Sequence, residues 1–301
     1  MTPASKAAFA AAGTSVLVGA AIVATRVVVH QVGPGSLALL RYLIGFCCLL
    51  PFTLGSARVR FEARDVLPIA LLGILQFGIL IALLNYALQF IPSAQAALIF
   101  ATTPLLTMLL AAALGREALT ASKAAGVLSS ILGVALALGE KLTVHGAGVA
   151  AWIGISAAFG SAFCGAACSV FYRPYLLEYP TLQVSAFAML SSIAFLALLA
   201  AHEGFFAALP HFSPLGWTAV AFIGASSGVG YYLWLWALGN STPTKVTVFL
   251  ALSPVTATIF GSLFLAERVT LLSFAGIACV ALGLRLATYQ VVSSAPAAQR
   301  S

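Results

Sequence analysis

The sequence predicts an all-α membrane protein with ten transmembrane helices, arranged as two inverted five-helix repeats. Three observations predict this fold: the composition, the spacing of the apolar runs, and a match of the chain to itself. Of the 301 residues, 62% are hydrophobic and 7% are charged, and the mean hydropathy is +1.09. A soluble domain carries roughly 25% charged residues. Because so few polar side chains are available to cover its outside, this chain is expected to have the bilayer as its solvent.

Ten apolar runs, each long enough to cross a membrane, are separated by short polar or Gly/Pro stretches. The first run follows Lys6 and is too long for a signal peptide, so it is expected to be retained as the first helix. The short connections make successive helices antiparallel neighbours, and the tail 291–301 is expected to be disordered. The runs cover 7–29, 35–54, 66–89, 93–114, 121–139, 148–172, 181–200, 215–239, 244–265 and 270–287.

The basic residues predict the orientation of the chain. If the N-terminus is cytoplasmic, ten of the 14 Lys and Arg residues lie at cytoplasmic ends or loops and four at the opposite ends. This positive-inside bias predicts a multi-pass protein of the inner (plasma) membrane with both termini in the cytoplasm. The formal net charge of +7 comes from scattered residues, so we expect the lipid bilayer, and no nucleic acid, as a partner.

The two halves of the chain resemble each other. A shift of 150 residues places Thr103-Pro104 on Ser253-Pro254 and Glu117 on Glu267, and a shift of 146 residues places Gly19 on Gly165 and Pro34 on Pro180. The predicted repeats are 1–142 and 143–290. Five helices is an odd number, so the second repeat must enter the membrane from the opposite side. Inverted repeats are a recurring device of secondary transporters, which hold substrate between the halves. Shared ancestry without a functional role is the alternative.

Two segments carry a resemblance to a known family: "TPLLTMLLAAALGREALTASKAAGVLSSILGVALAL" and "SPVTATIFGSLFLAERVTLLSFAGIACVALGLRL". Both resemble the EamA domain of the drug/metabolite transporter superfamily, with a Pro in the fourth helix, a Glu-x-Leu-Thr-like turn and a Gly-spaced fifth helix. Arg26 and Arg41 stand where that family has basic residues, whereas Val18-Gly19 replaces its usual Trp-Gly. The resemblance covers residues 8 to 288 and implies a ten-helix exporter of amino acids or related metabolites.

A candidate cavity is predicted from aromatic and amide side chains. Tyr232, Trp236 and Asn240 follow one another at four-residue spacing and form one stripe on the eighth helix. The repeat places Trp236 on Tyr86, which has two amide residues, Asn85 and Gln89, nearby in the third helix. Intramembrane amides need polar partners, so these residues are interpreted as the lining of a substrate cavity. An interfacial aromatic belt is the alternative, and it fits Tyr231, Trp234 and Tyr172 about as well.

Pro104 and Pro254 interrupt the fourth and ninth helices about halfway along. Each removes a backbone hydrogen bond and frees a carbonyl, and the hydroxyl of Thr103 is available to a ligand or to the backbone. Broken helices at matching positions point to a transport site with two hinges. A plain packing kink is the alternative.

Two arginines and two glutamates are further candidates. Arg41 is predicted to meet a substrate carboxylate or to line an outer vestibule, with snorkelling to head groups as the alternative; snorkelling is favoured for Arg26. Glu117 and Glu267 repeat as a catalytic or coupling pair would. Both lie in turns next to Arg116 and Arg268 and just before the caps Thr120 and Thr270, so a structural role in capping and local ion pairs is favoured.

The positions of the acidic, His and Cys residues limit the possible functions. None of the seven acids lies in the middle of a predicted helix, so no deep carboxylate relay is expected. The His, Cys and acidic residues match no metal or nucleophile pattern, so neither an enzyme nor a metal or cofactor site is expected. We therefore expect a secondary exporter of a small neutral or zwitterionic metabolite, with amino acids first. A lipid or lipid-linked flippase subunit of the same fold is the alternative, followed by a membrane-embedded enzyme.

Overall fold

The computed structural model of the chain describes residues 3–55, 60–115, 125–126, 128–129, 132–133, 136, 148–207, 210–241, 243–267 and 270–293. Every regular element within these ranges is a helix. Eight of the described helical segments are long and apolar enough to cross a membrane. The all-α fold is therefore confirmed for the described residues, and eight candidate membrane spans agree with the class expected from composition. The described positions between 125 and 136 are helical as well.

The first half contains four of these membrane spans. A π-helical segment, Ile74–Ile79, joins α3 to α4, so that Ala63–Phe90 forms one continuous span. The α-helices are α1 (Pro3–Val28), α2 (Pro34–Leu54), α3 (Ala63–Gly73), α4 (Leu80–Phe90), α5 (Ser93–Phe100) and α6 (Thr103–Ala113).

The second half repeats this arrangement with one addition. The short helix Arg173–Glu178 forms within a segment that the apolar pattern treats as a loop, and it starts with a proline in its first turn. The α-helices are α7 (Val149–Phe171), α8 (Arg173–Glu178), α9 (Thr181–His202), α10 (Pro214–Asn240), α11 (Pro243–Thr247), α12 (Leu252–Leu265) and α13 (Leu271–Ser293).

Both predicted helix interruptions are present. In the first half, α5 ends at Phe100 and α6 begins at Thr103, with Pro104 in its first turn. In the second half, the 3-10 helix Val248–Ala251 leads into α12, with Pro254 in its first turn. The Thr103 hydroxyl donates to the Phe100 carbonyl at 2.5 Å, so side chains take up carbonyls that the breaks release.

The two halves contact each other reciprocally at these breaks. A Cβ built on Gly19 of α1 would lie 2.5 Å from the carbonyl oxygen of Ser253, and one built on Gly165 of α7 would lie 3.4 Å from the Thr103 side chain. Gly19 and Gly165 correspond in the internal alignment, as do Thr103 and Ser253. Each half therefore places its first helix against the broken helix of the other half.

A second close contact joins α2 to α10. A Cβ built on Gly228 would lie 2.7 Å from the carbonyl oxygen of Gly45. Small residues permit such close helix crossings, which supply packing energy in a membrane. This crossing lies directly beside the polar residues described next.

Candidate substrate cavity

A cavity lies where helices of both halves meet. The space in which the centre of a water molecule fits has a volume of about 30 Å³. This is room for about two water molecules. The lining is mainly apolar and aromatic, with polar groups from α1, α2, the π-helical segment, α6 and α7. The lining residues are Thr14, Val18, Ile22, Arg41, Gln76, Ile81, Leu84, Phe100, Thr103, Gly165, Ser169, Tyr231, Trp234 and Leu250.

Arg41 provides the positive charge of this cavity. The residue is only 6% exposed, and its Nε donates a hydrogen bond to the Ser227 hydroxyl at 2.5 Å. Its guanidinium carbon lies 5.8 Å from the centre of the Tyr42 ring. The ion pairs found within the described ranges all involve Arg64, so no described carboxylate neutralises Arg41. A buried arginine without a carboxylate is costly within a membrane, and an anionic ligand group would offset that cost.

Gln76 faces the same cavity from the π-helical segment. The residue is 5% exposed, and its carboxamide has no hydrogen-bond partner among the described residues. Sequence reasoning missed it, although a lone amide in the middle of the apolar run 66–89 was the available signal. In the ranges the structure describes, no group of three His, Cys, Asp or Glu side chains is placed to hold a metal ion.

The aromatic wall of the cavity comes from Tyr231 and Trp234 of α10. Both are buried, as is Tyr172, so the aromatic-belt interpretation is wrong for these three residues. The predicted stripe lies on a neighbouring face of the same helix: Tyr232 and Trp236 are half-buried, pack against the core and do not line the cavity.

Four other predicted site residues lie outside the cavity. Tyr86 is 38% exposed and its ring packs against Phe90, with 5.0 Å between the ring centres. The other three donate side-chain hydrogen bonds to backbone carbonyls. Asn85 donates to Pro34 at 2.9 Å, and Gln89 donates to Val29 at 3.3 Å. Asn240 donates to Trp236 at 2.9 Å. The structure therefore brings Arg41 and Thr103 of the predicted set into the cavity and leaves these amides near helix ends.

Arg26 does not need to snorkel to find a partner. Its guanidinium donates to the backbone carbonyl of Leu88 and lies 3.3 Å from Nε2 of His30. The expectation of snorkelling overlooked this carbonyl, because Leu88 is 62 residues away in the sequence.

Two carboxylates close one end of the bundle, which we call the Glu203 end. Glu203 accepts hydrogen bonds from the amides of Gly35 and Ser36 at 2.9 and 2.8 Å and from the Ser36 hydroxyl at 2.6 Å. These donors belong to the first turn of α2, where a negative charge also interacts favourably with the helix dipole. A Cβ on Gly33 would collide with this carboxylate, so glycine leaves the space it occupies.

Glu267 makes the equivalent contact with α5. It accepts hydrogen bonds from the Ser93 amide at 3.0 Å, the Ser93 hydroxyl at 2.6 Å and the Ala94 amide at 3.4 Å. Glu267 therefore has a structural role, but the helix that it caps is α5 and not the one that follows it in the sequence. The expected cap Thr270 does accept a hydrogen bond from the Ser273 amide, at 3.2 Å. Glu117 and Thr120 lie outside the described residues.

A different contact joins the halves at the opposite end, which we call the Tyr179 end. The Tyr179 hydroxyl donates to Asp65 at 2.6 Å and accepts from the Glu62 amide at 3.2 Å. The bond to Asp65 raises the pKa of the Tyr179 phenol above its ordinary value. Phe61 packs edge-on against the same ring, 5.0 Å away. Both ends are therefore held by contacts between the two halves.

A cavity between two related halves with broken helices is the arrangement found in transporters, and the family comparison agrees with it. The EamA-like transporter family model matches the chain twice, over residues 5–139 and 152–289. The chain belongs to the EamA-like transporter family. The double match supports two EamA-like units, and the family relation identifies this membrane protein as a transporter.

Relatives of this family member are also transporters by name. An "Uncharacterized transporter" of Archaeoglobus fulgidus is 26% identical over 88% of this chain and 92% of its own length. A "Probable terminal-alkyne amino-acid exporter" of Streptantibioticus cattleyicolor is 29% identical over 87% of this chain and 86% of its own length. A solved structure titled "Crystal structure of protein" superposes with a TM-score of 0.67 at 22% identity, covering 92% of this chain and 98% of that one, and so shares the fold.

Proposed function

We propose that this EamA-family protein is a secondary transporter that exports small zwitterionic metabolites, amino acids first, by alternating access through the cavity that Arg41 lines. The observation that carries the proposal is a buried, positively charged side chain in that cavity, with no carboxylate partner among the described residues. A guanidinium binds a carboxylate through two parallel hydrogen bonds. The name of the S. cattleyicolor relative supports amino acids as the substrate class.

The charge of the cavity favours a substrate with a single carboxylate. Arg41 is the only Lys, Arg, Asp or Glu among the lining residues described. A sugar phosphate carries more negative charge than one guanidinium neutralises, and additional buried cations would be needed to bind it. A zwitterion presents one carboxylate to Arg41 and places its remaining groups among neutral side chains.

The proposal includes ten membrane helices in two inverted repeats. The reciprocal packing of Gly19 on Ser253 and of Gly165 on Thr103 supports a twofold relation between the halves. Two contacts near the end of α4 support opposite insertion. Gly154, near the start of α7, packs on Phe90 and Ile91. Arg26, near the end of α1, donates a hydrogen bond to the carbonyl of Leu88. With α1 ending and α7 starting at one end of the bundle, equivalent helices run in opposite directions.

The size of the cavity and the contacts at its two ends support alternating access. Room for about two water molecules is far too little for an amino acid, so the walls must separate to admit one. Release of the Glu203 end or of the Tyr179 end would open one side at a time, with Pro104 and Pro254 as the hinges. The positive-inside bias supports an orientation in the inner membrane with the Glu203 end outside the cell and both termini in the cytoplasm.

Counterflow in proteoliposomes tests the role of Arg41. Wild-type protein is expected to exchange labelled L-leucine, whereas Arg41→Gln should lower kcat/KM by about 10- to 100-fold, because one charge-assisted interaction is lost. Arg41→Lys should recover only part of the activity, since an ammonium does not bind a carboxylate at two points. Lys6→Gln, an exposed change near the N-terminus, is the control. Exchange by Arg41→Gln at the wild-type rate would remove the basis for the proposed function.

A further inference from the structure

We propose that Gln76 receives the α-amino group of the substrate and so selects α-amino acids with uncharged side chains over carboxylic acids that lack the amino group. This inference rests on the proposed function, because it takes Arg41 as the carboxylate site. It adds a specificity-determining residue and narrows the substrate class.

The backbone around Gln76 has an unusual conformation. The span Ala63–Phe90 is α-helical at both ends but π-helical over Ile74–Ile79. Such wide turns insert an extra residue into a helix, re-aim one side chain and occur frequently at functional sites. Here the re-aimed residue is Gln76, which lines the cavity, while its neighbour Phe77 packs at 4.7 Å against the Tyr231 ring.

The carboxamide of Gln76 has no hydrogen-bond partner among the described residues and is open to the cavity that it lines. The residue is 95% buried, and no described group forms a hydrogen bond with it. Side-chain amides inside proteins are nearly always hydrogen-bonded, so a group bound in the cavity is the partner that this carboxamide can take. By contrast, Asn85 and Gln89 of the same span both find backbone carbonyls. Gln76 is therefore the amide in this span whose hydrogen-bonding capacity is directed to the cavity.

Arg41 and Gln76 lie at similar depth. The hydrogen bond from Asn85 to the Pro34 carbonyl shows that residues 34 and 85 lie at about the same position along the helix axes. With a rise of about 1.5 Å per residue, Arg41 lies about 10 Å and Gln76 about 13 Å from that position. Because both residues also line the same small cavity, one ligand can place its carboxylate at Arg41 and its amino group at Oε1 of Gln76.

The remaining lining sets the limits on the side chain of the substrate. No Asp or Glu is among the described lining residues, so the ammonium is held by neutral groups: the Gln76 carbonyl oxygen and the faces of Tyr231 and Trp234. A second cationic group would be repelled by Arg41, and a second carboxylate would find no additional cation. An apolar side chain fits against Ile81 and Leu84.

A pair of probes that differ only in the amino group tests this assignment. Dissociation constants for L-leucine and for 4-methylpentanoate are measured by thermal-stability titration of the purified full-length protein. Wild type is expected to prefer leucine by about tenfold, the effect of one hydrogen bond to a charged group. Gln76→Leu should abolish this preference and leave 4-methylpentanoate binding within about twofold of wild type. Gln76→Glu should increase the preference, because a carboxylate pairs with the ammonium.

Controls separate this inference from the proposed function. Gln95→Leu makes the same chemical change at a half-buried position outside the cavity and should leave both constants unchanged. Arg41→Gln should weaken both probes alike. If Gln76→Leu still prefers L-leucine over 4-methylpentanoate as wild type does, Gln76 does not have the proposed role. If Gln76→Leu fails to fold, an unchanged preference in Gln76→Glu has the same meaning. In either case a loss of binding in Arg41→Gln would still support the proposed function. If wild type binds neither probe, the proposed function fails, and this inference fails with it.

Discussion

At the scale of single residues, the ends of the bundle are held by side chains that act far from their own sequence neighbourhood. Glu203 and Glu267 lie 167 and 174 residues from Ser36 and Ser93, the serines that donate to them. Each carboxylate gains two amides, one hydroxyl and the favourable end of a helix dipole. Sequence reasoning finds a local cap three residues from its partner, as at Thr270, but has no signal for a cap supplied by another helix.

The strength of the Glu203 contact can be measured directly. Glu203→Ala should reduce the stability of the detergent-solubilised protein by about 1–2 kcal/mol, because the first turn of α2 loses its cap. The thermal unfolding midpoint reports this loss. Glu178→Ala is the matched control: Glu178 is half-exposed and has only a 4.0 Å contact with Arg64, so its removal should change stability by less than about 0.5 kcal/mol. Equal midpoints for the two variants would show that Glu203 does not hold this end.

At the scale of secondary-structure elements, spans and breaks could be predicted, whereas the faces of the helices could not. The predicted stripe on α10 used Tyr232 and Trp236, but Tyr231 and Trp234 line the cavity. One residue turns the direction of a side chain by about 100°. In an apolar membrane helix both faces are hydrophobic, so periodicity does not distinguish them. Ser227 and Gly228 were the better guides, because one bonds to Arg41 and the other packs on Gly45.

The α2–α10 crossing gives a prediction with opposite signs at two glycines. Gly228→Ala places a methyl group 2.7 Å from the Gly45 carbonyl oxygen, so we expect a loss of about 1–3 kcal/mol from overpacking, together with reduced transport as Ser227 shifts away from Arg41. Gly13→Ala is the control.

Gly13 lies in α1 with nothing within 4 Å of a built Cβ, so alanine there should stabilise the helix by about 0.5–1 kcal/mol. Thermal midpoints and leucine counterflow measure both variants. Similar effects at the two positions would contradict the close crossing.

At the scale of the whole molecule, composition predicted the membrane class, self-similarity predicted broken helices at matching positions, and the resemblance of two segments to the EamA domain indicated the family. The alignment of Gly19 with Gly165 and of Thr103 with Ser253 is reproduced as reciprocal contacts in space. The cavity was harder to predict, because it depends on which side chains meet across the two halves. A π-helical turn and a buried Arg41–Ser227 bond result from tertiary packing, which leaves no periodic trace in the sequence.

The opposite insertion of the halves can be tested at a pair of equivalent positions. Gln31 and Leu177 correspond under the 146-residue shift, and both are exposed. In a variant without native cysteines, Gln31→Cys should react with a membrane-impermeant maleimide from outside the cell, and Leu177→Cys only from the cytoplasmic side. Mass shifts after labelling of intact cells and of inverted vesicles measure this. Reaction of both positions from the same side would refute inverted repeats.

Glu203 and Glu267 together accept six hydrogen bonds, and the type of donor affects the free energy needed to separate the helices at this end. All six donors are amides or serine hydroxyls at the start of a helix, and water can replace a carboxylate at each of them. If the Glu203 end separates as the proposed alternating access requires, each of these amides and hydroxyls would exchange a carboxylate for a water molecule. In the proposed transport cycle this contact would break and re-form in each turnover. Ionic strength on that side would then affect how often it opens, because salt weakens the attraction between each carboxylate and its helix.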